Sequence, residues 1–467
     1  MLPDEVLLAI FDLLVDESRS AGKKEIEAWQ SLVHVCQQWR RVVFGSPHRL
    51  NLRLVCTSKT PVRDTLDIWP AFPLFIMASI VDTSGVNNII AVLEHRDRVR
   101  QIRVDLMDVP SLQSKRVSAA MQEPFPELIC LVLSNYGMSR PMLALPDSFL
   151  GGSSPRLQQL CLRGIPFPGL PKLLLSATHL VRLTLEDIPH TGYISPEAMV
   201  TALSTLTNLR HFRLEFKSPQ SRPYQESRRP PLTRSVLVLT DLAFKGVCEY
   251  LDNLVAHIDT PQLTKLDITF LDQVAFDAPQ LVQFICRTEA LKTLEKARLT
   301  CCIGAAMVKL SPQASHSTFL HVVIPCRELD RQIWSLGQVF ALCLPPLSEL
   351  KDFYIYGDCQ PDWQLGWEDN MVEALWLELL YPFTAAKNLY ITEEFAQRIV
   401  PALQQLVGAR MTQVFPALRN IFLEGLRSSG PVQESVGHFA AARQAIGYPI
   451  AVSRWDRDRT TFYEVDN

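Results

Sequence analysis

The chain lacks the short signatures that announce chemistry. Its 467 residues contain no His-Glu-x-x-His, no Gly-x-x-x-x-Gly-Lys-Ser/Thr, no Gly-x-Ser-x-Gly and no Gly-x-Gly-x-x-Gly. The ten histidines are scattered, and His34 sits among apolar residues where a packed or surface role is expected. The eleven cysteines are odd in number and irregular in spacing. Cys301 and Cys302 are adjacent rather than three positions apart. Neither a disulfide framework nor a zinc site is therefore expected, and no metal or cofactor is called for. Positive charge is not in excess: a net charge of −3 argues against a dedicated nucleic-acid binder. No apolar run is long enough to span a bilayer. The best one, 70–81, holds two prolines and reads as a buried strand, Leu74–Ser79, after a turn. Asp4 and Glu5 stand where a secretory leader carries basic charge, and no Asn-x-Ser/Thr site occurs. The expectation is a cytoplasmic or nuclear protein with reduced cysteines and no membrane partner.

What the chain does have begins at its first residues. Leu2, Val6, Leu7, Ile10, Leu13 and Leu14 recur at helical steps and form one apolar stripe. Pro3 suits a first helical turn, and Asp4 and Glu5 complement the helix dipole. A second stripe, expected on one helix, runs Trp29, Leu32, Val33, Cys36, Trp39, Arg40 and Val43. Two helices this short cannot bury both faces on each other. They need the following domain on one side and a partner on the other. A helical cap on a larger domain would show the same stripes.

The body repeats. The pattern L-x-x-L-x-L, with Ile, Val, Phe or Ala substituting, recurs from Val99/Ile102/Val104 through Leu128/Leu131/Leu133, Leu157/Leu160/Leu162, Leu180/Leu183/Leu185 and Leu209/Phe212/Leu214. It returns at Leu263, Leu294, Leu350 and Leu418, with weaker copies at Phe319 and Ala386. Pro126, Pro155, Pro261, Pro346 and Pro416 sit just before several copies, marking exits from helix into strand. Apolar positions two apart share one side of a strand, so parallel stacking buries them in one continuous core. Helices are expected between strands, at 86–96, 196–205, 241–257, 279–287, 331–343, 393–407 and 434–445. The alternative is a generic α/β domain with leucine-rich strands.

Leu2-Pro3, Leu7, Ile10, Leu14 and Val35-Cys36-Gln37-Gln38-Trp39-Arg40 resemble the F-box over roughly residues 1–48. With the degenerate repeats behind it, the chain is similar to fungal F-box proteins with leucine-rich repeats. It departs in the long polar stretch 15–28, read as a loop insertion. The resemblance implies an α/β fold: a short all-α F-box (1–48), then a leucine-rich-repeat solenoid (49–456) with parallel strands on its concave face and helices on its convex face, then a tail (457–467). It also implies a non-catalytic substrate receptor of a Skp–cullin–F-box ubiquitin ligase. Leu2, Pro3, Leu7, Ile10, Leu14, Val35, Cys36 and Trp39 would bind the Skp-type adaptor, and through it a cullin. Cys36 is expected to be a small buried hydrophobe. The alternative function is a repeat scaffold outside any ligase.

In such a solenoid the residues flanking the inward leucines would line the recognition face. These include Arg103, Arg163, Arg182, His211, Arg213, Lys265 and Arg298, whose arginines read as a column through the middle repeats, with Tyr354, Tyr356 and Phe422 toward the C-terminus. Arg and Tyr carry much interface energy, and arginines pair bidentately with phosphate or carboxylate. The expected ligand is a protein with an acidic or phosphorylated segment. A solvated face whose charges pair with one another is the competing account. The Pro-, Ser- and Arg-rich stretch 217–235 reads as a mobile insertion, and Trp363 and Trp367 with their acidic neighbours as a covering loop.

Overall fold

The computed structural model describes residues 2–20, 28–80, 82–106, 111–135, 144–219, 234–271, 276–313, 317–344, 347, 349–357, 369–404, 413–424 and 431–455. Most of the expected insertion, the tail, Pro346 and the Trp363/Trp367 patch lie outside these residues. The fold is α/β, and the chain divides into two compact units, 1–209 and 210–467.

The first unit holds β1 (Leu54–Cys56), β2 (Leu74–Ser79), β3 (Val99–Asp105), β4 (Cys130–Ser134), β5 (Gln159–Arg163) and β6 (Arg182–Ile188). Each strand pairs in parallel with the next. The registers align Ile102, Leu131, Leu160 and Leu183 in one row, and Val104, Leu133, Leu162 and Leu185 in another. All eight are buried, each worth about 2 kcal/mol of transfer free energy. The leading residues of the pattern are buried as well and enter by one recurring turn. Leu128 N–H donates to the Phe125 carbonyl, Leu157 to Ser154 and Leu180 to Ala177, at 3.0–3.2 Å. Helices close the repeats. Pro196–Leu203, for example, starts where the Ser195 hydroxyl accepts from Ala198 N–H and Pro196 needs no partner.

The second unit contains β7 (His211–Phe216), β8 (Ser235–Val236), β9 (Asp241–Gly246), β10 (Ile258–Asp259), β11 (Lys265–Phe270), β12 (Lys296–Cys302), β13 (Ala305–Ser311), β14 (Phe319–Pro325), β15 (Asp352–Gly357), β16 (Asn388–Ile391), β17 (Asn420–Glu424) and β18 (Ala451–Trp455). Its main sheet runs β7-β9-β11-β14-β13-β12-β15-β16-β17-β18, and β8 and β10 form a separate pair. One face of this sheet is apolar and packed under helices such as Leu329–Leu342 and Glu393–Gln404. The other face is only partly covered by its own side chains.

Two expectations are corrected here. The helix expected over 241–257 begins only at Cys248, because Asp241–Gly246 is strand β9, paired on both sides with β7 and β11. Its Leu242 and Phe244 alternate inward with period two, and Leu239 completes a further copy of the repeat. The stacking is also not parallel throughout. β12, β13 and β14 form an antiparallel meander, so β14 rather than β12 lies beside β11. The hairpin turns at Ile303-Gly304, where Gly304 takes φ +94°, a backbone region that glycine enters without a Cβ clash. The other expected helices occur: Pro279–Arg287 with the expected bounds, and Thr83–Leu93, Pro196–Leu203, Leu329–Leu342, Glu393–Gln404 and Pro431–Ala445 with ends that differ by a few residues.

Candidate interaction surfaces

Three helices open the chain: α1 (Asp4–Ser20), α2 (Ala28–Val33) and α3 (Gln37–Gly45). Helix α1 runs six residues into the stretch expected to be a loop, and 21–27 lies outside the described residues. The second stripe is two helices rather than one. The chain breaks before Cys36, whose extended backbone and sulfur, accepting from Trp39 N–H at 3.5 Å, cap α3. This capping position leaves Cys36 exposed, not buried as expected.

The anchor of this segment is Trp29. It is fully buried, meets Trp69 and Phe72 edge-on at 5.1 and 5.4 Å, and donates its indole N–H to the Arg53 carbonyl. Phe11, absent from the expected stripe, is buried against Trp39 at 4.9 Å. Polar contacts tie the start of the chain and α1 to α3 and the turn after it. Gln38 donates to the Leu2 carbonyl and to Asp4, Arg41 pairs with Asp4, and Arg49 with Asp12.

The expected adaptor-binding residues separate into two sets. Leu7 is 2 % exposed and belongs to the packed side. Leu2, Ile10, Leu14 and Val35 keep much of their surface in water, as do Val6 and Leu13. Pro3 and Cys36 are exposed and Trp39 is half-buried. The apolar stripe of α1 is broad, and among the described residues only the edge with Leu7 and Phe11 is covered. Clustered exposed aliphatic side chains of this kind mark interaction sites on folded proteins.

The expected column of arginines is not a column. In the first unit Arg103 shares a row with Val132, Cys161 and Thr184, Arg163 with Ser134 and Glu186, and Arg182 with Gln159. Arg163 is ion-paired with Glu186, and Arg103 and Arg182 are exposed. In the second unit His211 and Lys265 both face Asp241, at 3.0 and 3.5 Å, and Arg213 pairs with Glu215 at 3.0 Å. The face is laced by carboxylates that the pattern of basic residues alone did not reveal.

The C-terminal strands of the second unit carry a different surface. Tyr354, Tyr390 and Phe422 occupy one register row. Their rings stack at 4.2 and 4.5 Å with interplanar angles of 8° and 9°. Arg298 lies over Tyr354 at 5.8 Å and closes one end. In the row two residues earlier, Asn420 donates to Asn388, and Asn388 to Asp352, in a line of side-chain hydrogen bonds. Burial, then the neighbouring Tyr390 and Asp352, push the Tyr354 phenol above its ordinary range, and Tyr390 moves the same way for want of solvent. Tyr356 is almost fully buried. Trp455, on β18, reaches back across this group, with its ring 6.1 Å from Tyr354, 5.9 Å from Tyr356 and 5.4 Å from Tyr390. Tyr390 and Trp455 were not among the expected binding residues. Tyr390 flanks the inward leucine of a weak repeat copy, and that position was the available signal.

Among the described residues no group of three or more His, Cys, Asp and Glu is gathered as a metal would need, and no helix is long and apolar enough to cross a membrane. No family model matches the chain, and a search of curated proteins finds no match.

Proposed function

We propose that this chain is a substrate receptor of a Skp–cullin–F-box ubiquitin ligase, with an F-box at its N-terminus and a leucine-rich-repeat domain behind it. The observation that carries the reading is the uncovered part of the α1 stripe, where Ile10 and Leu14 stand exposed, with Leu2 just before the helix and Val35 after α2 exposed as well. The stripe already places Leu7 and Phe11 along one edge in the core, and among the described residues nothing covers the rest of it. A helical adaptor of the Skp type would cover them and connect the chain to a cullin. The stacked strands would then present their open face to a substrate protein. Binding both at once raises the local concentration of substrate at the ubiquitin-charged enzyme, so the receptor acts by proximity and needs no catalytic group of its own.

The test is co-purification of a Skp-type adaptor with the full chain and with the Leu2→Ala/Pro3→Ala variant. Adaptor held by the first and lost by the second supports the reading. A folded chain that holds no adaptor would leave a repeat scaffold with a helical cap.

A further inference from the structure

The open face carries its densest aromatic group at the C-terminal end. We infer that the aromatic ladder of the second unit binds an extended segment of a partner protein that presents an aromatic side chain, and that the chain's own strand β18 occupies this site in the free state. The inference rests on the reading that the open face captures a protein, and it needs neither the adaptor nor the ligase.

The site already shows the kind of side chain it takes. Trp455 is seated at a steep angle against three tyrosines, 5.4–6.1 Å between ring centres. Tyr354, Tyr390 and Phe422 use their faces on one another, which leaves ring edges for a further ring. Edge-to-face contact is a geometry that the charge distribution of aromatic rings favours.

The strand that brings Trp455 there lies at a sheet edge. Among the described residues β18 has one neighbouring strand, β17. On β17 the inward positions Ile421 and Leu423 are buried. The matching positions on β18 are Val452, half-exposed, and Arg454, exposed. β18 therefore adds little to the core. It is attached by backbone pairing with β17, by contact with the helix Pro431–Ala445 and by the indole, and an incoming strand can supply the pairing and the ring. Removal of β18 bares the N–H and C=O groups of β17, a template for a parallel strand. An aromatic residue in the register of position 455 would replace the indole. The bound and free states thus exchange like for like, and occupancy by β18 lowers the apparent affinity for the partner segment in proportion to the time it is seated.

The test uses the full chain, alone, and a fluorescent peptide with the sequence of residues 448–455, read by anisotropy. The Trp455→Ala chain should bind this peptide roughly tenfold tighter than the wild type, because its own competitor is weakened. A peptide with Ala in place of its terminal Trp should bind neither chain. Excess peptide should speed deuterium exchange at residues 451–455 of the wild-type chain, a readout that depends on no variant. Equal affinity of the two chains, equal binding of the two peptides, or unchanged exchange would each overturn the inference. Self-association of the wild type that disappears in Trp455→Ala would give the site to a second copy and also overturn it. Because the adaptor is absent from this assay, a negative result leaves the reading of α1 standing.

Discussion

Replacement of Leu2 and Val35 by alanine separates a docking side chain from a structural one. Removing the three outer carbons of a fully buried leucine forfeits roughly 2.4 kcal/mol of transfer free energy, before any cavity is counted. Leu2 is 52 % exposed and Val35 58 % exposed. Each therefore has less than half of that burial to lose, about 1 kcal/mol or less. Leu7 is 2 % exposed, so Leu7→Ala loses the whole transfer term and opens a cavity, about 3 kcal/mol together. Trp29 provides the readout. Its indole is buried between Trp69 and Phe72, so its indole N–H resonance, resolved from those of the other tryptophans by NMR, reports unfolding of this segment in a urea titration. The expected result is a nearly unchanged midpoint for Leu2→Ala/Val35→Ala with loss of adaptor capture, and a clearly lowered midpoint for Leu7→Ala. If the surface pair shifted the midpoint as far as Leu7→Ala, the stripe would be part of the packing. If it left capture intact, docking would lie elsewhere.

Three further substitutions probe the fold. Leu160→Ala, in the middle of the row from Ile102 to Leu183 where every member is buried, should cost about 3 kcal/mol, measured by chemical denaturation. Asp252→Ala should cost about 1–2 kcal/mol by the same measurement: its carboxylate accepts from Gln280 and Leu281 N–H at 2.8 and 2.9 Å and caps a helix whose own Ala278 offers no side-chain cap. Tyr354→Phe should flatten the alkaline limb of a stability-against-pH curve. The folded-state pKa of Tyr354 is raised by burial, so the unfolded chain ionises first. The contribution of the neutral phenol is complete below the ordinary tyrosine value of about 10 and is lost as pH rises above it.

The repeat pattern made the strands legible for a local reason. Residues two apart on a strand share a side, so each L-x-x-L-x-L copy carries its own inward face and its own entry turn, whatever its neighbours do. The strand at 74–79 and the helix at 279–287 were readable to the residue. Where local signals were ambiguous the reading failed. Asp241–Gly246 reads equally as part of a long amphipathic segment, and pairing on both sides makes it a strand. The break before Cys36 depended on a sulfur-capped turn that no apolar period announces.

By itself the sequence determined the inward rows, the apolar stripe of α1 and the absence of the familiar catalytic motifs, because each depends on spacing along one segment. Tertiary structure alone decided which side of that stripe is spent, since the packing beneath α1 buries Leu7 and leaves Leu2 exposed. It also decided that the arginines fall in separate rows beside carboxylates, because the register between strands, not the order of residues, sets their neighbours. The stacking of Tyr354, Tyr390 and Phe422 beside Trp455 has the same origin: residues spread over about a hundred positions meet only because parallel strands bring equivalent positions side by side.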